Sequence, residues 1–487
     1  MSRPISIDPD NPKVFLFRGK PRVLLTATEH YGAVMNRPFD FGRYLAQAAE
    51  EGMTLTRLFT LFRELQSAHN PYSTCKPDST DYVAPFERTG PGNALDGLPR
   101  HDLDTPSPEY FGRLERFIAR ASDAGIIVEV VLLSNTYGPE VWALNPLHHL
   151  NNVNDLEETR WPDYMSQRHP RLFERQVAHV RAIVDATKHF DNVIYEVCNE
   201  PGGGFPGEGH PGPSEVNEWV EALAAVAGKA DNRPPGNHLF AGQEAFDYEP
   251  FTQLSDKSFD AMSMDVVNIH PLPNTVYDGR TYDMGAFMSK QLCLRALRDY
   301  CLATHHERKP LNMDEDNVAS RFRDPDGWTI HRKRAWTTLM CGCHYDYIDF
   351  SILPHLETGT AESRRHIRTW FGHLSRFIHS IDLAVARPAP EVVAHRPPHT
   401  LECALAAPGE DYRVYLADER ELEVPGAGAP LHGELVMRLP KGEYRAALLS
   451  PETGLYSPEI VVSGGPETRL ELPSFSHDIA VRLVRTG

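Results

Sequence analysis

The sequence predicts an α/β protein, a (β/α)8 barrel of the TIM type followed by a small C-terminal antiparallel β-sandwich. Three observations lead there. Short apolar runs alternate with amphipathic stretches from about residue 21 to about residue 383, the pattern of a parallel sheet with crossover helices. The alternation repeats eight times over a span well beyond the ~250 residues of a bare barrel, so the excess lies in loops. From about Pro388 the texture changes to short alternating runs such as Arg413–Leu416, Glu434–Met437 and Ile479–Leu483, separated by turn signals at Lys441-Gly442 and Gly464-Gly465. The expected domains are therefore residues 1–385, a barrel with an N-terminal hairpin, and 386–487, a sandwich.

The elements follow in order. Lys13 to Val23 reads as a hairpin turning at Gly19-Lys20 and placed to plug the bottom of the barrel. Val23-Leu24-Leu25 opens the first strand, and the helix over about Phe41–Glu51 stops at Gly52. Thr54–Phe59 is the second strand, followed by a long loop rich in Pro, Gly, Ser and Asn. Ser107-Pro108 is a cap followed by proline at the first helical position. Ile126–Leu133 is the third strand, and a helix runs from about Pro170 to His189. Asn192–Cys198 is the fourth strand, and its loop, Pro201–Pro213, is almost entirely turn formers. A helix spans about Ser214–Ala230. Strands five to eight are expected near His238–Ala241, Val266–Ile269, Pro310–Met313 and Tyr345–Phe350, and the last barrel helix carries Arg365–Ile381. The longest loops follow strands, on the face where barrel enzymes place their chemistry.

Bulk composition narrows the function. Lys and Arg total 49 against 67 Asp and Glu, and 49 − 67 = −18. So acidic a surface repels phosphate backbones and anionic lipid, which argues against nucleic-acid and membrane partners. The seven cysteines are scattered and odd in number, not a disulfide framework. Cys341, Cys343 and His344 lack a second ligand cluster and read as buried thiols, so no metal and no cofactor are expected. Met1–Pro9 has neither a basic nor an apolar signal region, so a cytoplasmic location is expected unless a leader was trimmed. Oligomeric state is not readable.

Two segments carry chemistry. Tyr195-Glu-Val-Cys-Asn199-Glu200-Pro201 sets an amide beside a carboxylate where a strand leaves the sheet. Lys309-Pro-Leu-Asn-Met-Asp-Glu315 ends another strand with a carboxylate about three units later, across the barrel mouth. Two carboxylates facing one pocket are what cleavage of a glycosidic bond needs: one protonates the departing oxygen and the other attacks or screens the anomeric carbon.

With these motifs the chain resembles clan A of the retaining glycoside hydrolases, the superfamily of the family 5 cellulase-like enzymes. The resemblance covers the barrel and implies Glu200 as acid/base and Glu315 as nucleophile. It places Arg57 at the end of strand two close to the nucleophile, and His270 after strand six. It implies a carbohydrate substrate, a neutral oligosaccharide or glycoside. Two features depart from the clan: the segment Tyr345–Phe350 has no tryptophan, and Asp314 and Asp316 flank Glu315. Either aspartate becomes the functional carboxylate if the strand register is shifted by one.

The roles carry physical expectations. Glu200 must hold a proton near neutral pH, so its pKa should be raised, helped by the charge of Glu315. Arg57 should keep Glu315 ionised. Asn199 should donate to the sugar 2-hydroxyl, and His270 should orient Glu315 or contact the sugar. His30, Tyr31 and Asn135 end strands on the same face and either bind hydroxyls or pack. Trp142, Trp161 and Trp328 lie in loops over that face and either stack on a sugar or anchor their loops. The alternative is a non-catalytic carbohydrate-binding protein on a degenerate barrel, against which the presence of both glutamates speaks.

Overall fold

The computed structural model describes residues 3–28, 32–61, 81–205, 207, 209–232, 236–249, 251–285, 292–316, 326–348, 361–420 and 424–486. Its centre is one sheet of parallel strands: β1 (Leu25–Thr28), β2 (Leu55–Phe59), β3 (Ile127–Ser134), β4 (Val193–Asn199), β5 (Leu239–Gly242), β6 (Val266–Ile269), β7 (Leu311–Asp316) and β8 (His344–Ile348). Their order is β1-β8-β7-β6-β5-β4-β3-β2. The ring closes where the Thr54 N–H donates to Leu25 O at 3.0 Å and the Leu25 N–H to Thr54 Oγ1 at 2.9 Å. The expected barrel is the observed one.

Helices α1 (Phe41–Glu50), α2 (Pro108–Asp123), α3 (Pro170–Thr187), α4 (Pro213–Ala230), α5 (Asp256–Asp260), α6 (Leu294–Ala303), α7 (Asp326–Met340) and α8 (Ala361–Ile378) follow the strands. In α2, Ser107 caps the Tyr110 N–H, and Tyr110, Leu114, Phe117, Ile118 and Ala121 form the buried stripe that helical periodicity demands. Every residue of β3 is buried, which is why that strand reads as a near-continuous apolar run. Glu129 interrupts the run.

The N-terminal hairpin forms with Phe15–Phe17 against Lys20–Arg22. Arg18 and Gly19 both take positive φ, 49° and 77°, the turn that matches strand twist. Ile5, Phe15 and Phe17 then pack on Leu24, Leu55, Ile127, Ile194 and Val266, closing the bottom of the barrel. The long loop after β2 differs from its sequence reading. Its described part contains an antiparallel ribbon, Phe86–Asn93 against Pro99–Pro106. Turn formers concentrated in that stretch hid the pairing.

The C-terminal region is a sandwich of two antiparallel sheets. Strands β9 (Thr400–Ala407), β10 (Asp411–Asp418), β11 (Leu431–Met437), β12 (Gly442–Leu449), β13 (Ile460–Gly464), β14 (Thr468–Phe475) and β15 (Asp478–Arg485) supply most of it. One sheet runs Arg387–Pro388, β9, β10, β15, β12, β13, and the other Val393–His395, β11, β14. Val414, Leu416, Leu435, Met437, Val481 and Leu483 pack between them. No helix among the described residues is long and apolar enough to cross a membrane.

Helix α7 joins the barrel to the sandwich. Arg332 makes a bidentate pair with Asp478 at 2.9 and 2.8 Å, and Lys333 Nζ donates to Asp418 O at 3.1 Å. Trp336 stacks on Tyr415 with centroids 5.1 Å apart. Cys341 meets Cys403 across the same seam, sulfur to sulfur 3.8 Å, and His344 is bonded to Leu24 N and Lys13 O. Cys341 and Cys343 are buried thiols, as the sequence suggests. Arg332 and Asp478 are each 1% exposed, so removing one partner strands the other charge in a dry seam. Asp478→Ala should lower the unfolding free energy by roughly 3–5 kcal/mol, measured as a reduced midpoint in urea titration; a loss within the scatter of wild type would show that the seam is hydrated.

Candidate active site

The site lies at the C-terminal ends of the strands. Arg57 of β2 points into the barrel and is fully buried. Its Nη1 donates to Glu315 Oε1 at 2.5 Å, its Nη2 to Glu196 Oε2, and Nη2 also reaches Asn199 Oδ1 at 3.1 Å. Asp314 Oδ2 lies 3.1 Å from Nη2 and Glu129 Oε2 3.7 Å from Nε. One guanidinium is thus the shared counter-ion of carboxylates from β3, β4 and β7.

Both expected glutamates sit at bends in the backbone. Glu200 takes φ 47° and Glu315 φ 51°, the left-handed region that side chains other than glycine seldom adopt. At Glu315 the cause is visible in the strand pairing. Met313 opposes Tyr345 and Asp316 opposes Tyr347, so β7 spends three steps where β8 spends two. This bulge turns the three consecutive carboxylates in different directions. Asp314 turns inward to Arg57 and to His270 Nε2, 3.6 Å away. Asp316 turns outward, where Arg334 Nε donates to it at 2.6 Å and the Tyr345 hydroxyl at 2.8 Å. Of the three, Glu315 is the one grouped with Glu200, a carboxylate oxygen of each lying within 4.8 Å of the other.

His270, at the end of β6, bridges the pair. Its Nδ1 donates to Glu200 Oε1 at 2.9 Å and stands 3.8 Å from Glu315 Oε2. Burial works against a charged ring, but Glu315, Asp314 and Glu200 hold His270 well above the usual histidine range. Burial pushes Glu315 up to about 7, with the charges of Glu200 and Asp314 adding to it and His270 and Arg57 opposing. Burial also acts on Glu200, but the hydrogen bond and charge of His270, with Tyr137 and Arg57 adding to them, outweigh it and hold Glu200 below the ordinary carboxylate range. The sequence reading expected the reverse order. It had no knowledge that two donors converge on Glu200. Glu200, His270 and Glu315 are also, among the described residues, a group whose donor atoms are close enough for a cation. Arg57 and a protonated His270 set positive charge against that use, and the trio fits proton sharing better.

Other expected residues fall into place differently. Asn199 accepts from Arg57 through Oδ1, which turns Nδ2 toward the pocket, where it meets Tyr137 Oη at 2.8 Å. Asn135 is taken up in positioning: Nδ2 donates to Glu200 O and to Tyr248 Oη, both at 3.0 Å, so both amide protons are used. Trp142 is a correction. It is 3% exposed, its Nε1 donates to Thr159 O at 2.8 Å, and it packs on Tyr164, so it anchors its loop and offers no free face to a sugar. Trp161 stands edge-on to Phe205, which stacks on Tyr248 at 4.1 Å, an aromatic wall near Glu200. Gly202 is needed there, because a Cβ would lie 2.0 Å from the Tyr248 ring. His30 and Tyr31 lie outside the described residues, as does the side chain of Trp328.

Glu129, Glu196, Tyr137 and Tyr248 were not singled out from sequence as site residues. A lone carboxylate in the otherwise apolar β3 was the available signal for Glu129. Burial pushes Glu129 up to about 8, helped by the charges of Glu196 and Asp314 and opposed by Arg57 and by Asn268, whose Nδ2 donates to it at 2.8 Å. Because its folded pKa exceeds the ordinary value of 4.5, the folded state binds the extra proton, and stability falls as pH rises from about that value to about 8. Glu129→Gln keeps an acceptor for Asn268 and abolishes the titration. Its unfolding free energy should gain on wild type between pH 5 and 8 in parallel denaturant titrations, and a constant difference would refute a neutral Glu129.

No protein-family model and no curated protein matches the chain. Solved structures do. A structure described as a glycoside hydrolase aligns with TM-score 0.61 at 13% identity, covering 99% of this chain and 97% of the other. A glycoside hydrolase family 5 structure from Bacteroides vulgatus gives 0.60 at 14%, covering 99% and 94%. A putative glycoside hydrolase from the same organism gives 0.60 at 13%, covering 99% and 82%. Barrel and sandwich together thus share the fold of solved glycoside hydrolases, including one of family 5.

Proposed function

We propose that the protein is a retaining glycoside hydrolase acting on a neutral glycoside or oligosaccharide, with Glu315 as nucleophile and Glu200 as acid/base. The observation that carries this reading is the pocket-facing pair itself, with carboxylate oxygens within 4.8 Å of each other. That approach is compatible with the ~5–5.5 Å between carboxyl groups that direct attack on the sugar uses. The fold shared with glycoside hydrolases supports it.

In the first step Glu315 attacks the anomeric carbon, the glycosidic C–O bond breaks, and the proton of Glu200 goes to the departing oxygen. A glycosyl ester forms on Glu315. In the second step water attacks the anomeric carbon, Glu200 takes the water's proton, and Glu315 leaves as carboxylate. The Arg57 bond of 2.5 Å supports the charged form of Glu315 at both ends of the cycle. Asn199, fixed by Arg57, presents Nδ2 toward the pocket and is the group to meet the sugar 2-hydroxyl. Before the first step the shared proton must reach Glu200, and His270 Nδ1, 2.9 Å from one carboxylate and 3.8 Å from the other, is the path.

Wild type, Glu200→Ala and Glu315→Ala should be compared on a broad panel of aryl glycosides and natural oligosaccharides. Wild type should release sugar, and each variant should lose at least ~100-fold in turnover, since each removes a group on which the chemistry depends. With a β-linked substrate, azide should yield an α-azide from Glu315→Ala and a β-azide from Glu200→Ala; full activity in Glu315→Ala would reject the nucleophile assignment. The productive form carries one proton on the Glu200–Glu315 pair, and that proton is lost from Glu315 at about 7, so kcat/KM of the free enzyme should fall as pH rises above about 7. A basic limb at pH 4–5 instead would mean that Glu315 is not held up by its surroundings.

A further inference from the structure

The aromatic wall beside Glu200 is a built feature. Behind the strand ends, Gly202 and Gly203 after β4 pair in parallel with Phe246 and Asp247 after β5, which fixes the two loops against each other. Tyr248 stacks on Phe205 with centroids 4.1 Å apart, Phe205 meets Trp161 edge-on at 4.5 Å, and Phe251 lies 5.7 Å from Tyr248. Trp161 belongs to the loop after β3 and is held there by Thr136, whose Oγ1 donates to Trp161 O at 3.3 Å. One atom ties the wall to Glu200: Asn135 Nδ2 donates to Glu200 O and to Tyr248 Oη, both at 3.0 Å.

Two properties of the wall bear on what it can hold. Trp161, Tyr248 and Phe251 are only half-buried, so aromatic surface is left at the barrel mouth. The polar side chains around it are spent on the protein itself. Asn135 uses both amide hydrogens as above and gives Oδ1 to the Tyr137 N–H at 2.9 Å. Arg160 donates through Nε and Nη2 to Asp163 at 2.7 and 3.2 Å, and Asp247 Oδ1 accepts the Glu249 N–H at 3.2 Å. A sugar seated here would bring hydroxyls that need partners. An aromatic ring brings none and packs offset or edge-on against the rings already present.

The place of the wall assigns the part of the substrate. Its loops follow β3, β4 and β5, the half of the mouth that holds Glu200, whereas Glu315 stands on β7. The acid lies beside the departing oxygen, so the group that leaves with that oxygen lies on the Glu200 side. Resting on the reading of Glu200 as acid/base, we propose that the wall is an aglycone site for an aromatic group, and that the substrate is a glycoside of a phenol or an aryl-substituted alcohol. The glycosidic C–O bond breaks, the aglycone departs as the free hydroxyl compound with the proton of Glu200, and its ring is held by Trp161, Tyr248 and Phe251.

Hydrolysis rates alone would confuse ring recognition with leaving-group acidity, so the test uses acceptors. The glycosyl-enzyme made from a 2,4-dinitrophenyl glycoside that wild type cleaves should be offered 2-phenylethanol and glucose at equal concentration. Whichever alcohol occupies the aglycone site attacks the anomeric carbon, gives its proton to Glu200 and releases Glu315. Wild type should form the phenylethyl glycoside over the disaccharide by at least ~10-fold, and Trp161→Ala should lower that ratio several-fold. Phe251→Leu supplies the same comparison if Trp161→Ala does not fold. A preference for glucose, or a ratio that neither variant changes, would overturn the proposal. Saturation-transfer NMR with 2-phenylethanol alone should show transfer from wild type that weakens in the same variants. No transfer from wild type would overturn the proposal whatever the activity. Transfer without cleavage of any glycoside would instead reject the glycosidase reading and leave the wall as a binding surface for aromatic rings.

Discussion

A fully buried guanidinium surrounded by carboxylates is the constraint on which the site depends. Arg57 lies within hydrogen-bond or ion-pair reach of Glu315, Glu196, Asp314 and Glu129. A single positive charge cannot neutralise so many negative ones in a dry interior. Burial raises Glu129 and Glu196 toward the protonated form, while Arg57 and His270 outweigh burial and hold Asp314 below the usual carboxylate range. Arg57 also sets the orientation of Asn199, so one residue of β2 organises groups from β3, β4 and β7.

The backbone contributes as much as the charges. Glu200 and Glu315 both leave their strands through left-handed conformations, and the β7 bulge turns three adjacent carboxylates in three directions. Asp314 serves the interior, Glu315 the pocket and Asp316 the helix behind. That last contact extends the site outward, because Arg334, which holds Asp316, shares α7 with Arg332 and Lys333, which hold the sandwich. The C-terminal sandwich is thereby linked through α7 to the strand that carries Glu315.

Much of the fold was legible because its signals are local. Alternating strand and helix periods, the Ser107-Pro108 cap, the Gly19 turn and the change of texture near Pro388 all act over a few residues, and each has its counterpart in the structure. The outer frame of the site was legible for the same reason. Asn199-Glu200 and Glu315 stand where strands end, and Arg57 stands in β2 with its side chain turned into the barrel. The ribbon after β2 was missed because its turn formers masked a pairing between segments that carry little periodicity of their own.

What the amino-acid order determined by itself was thus the barrel, the sandwich and the pair of strand ends that carry Glu200 and Glu315. Only the tertiary structure decided which of Asp314, Glu315 and Asp316 faces the pocket, that Trp142 is sealed inside its loop, and that Glu129, Glu196 and Tyr137 touch the functional groups. The physical reason is range. Helix and strand periods are written into neighbouring residues, whereas a bulge depends on the register of the strand beside it. Proton positions, in turn, depend on every charge that the closed barrel brings together.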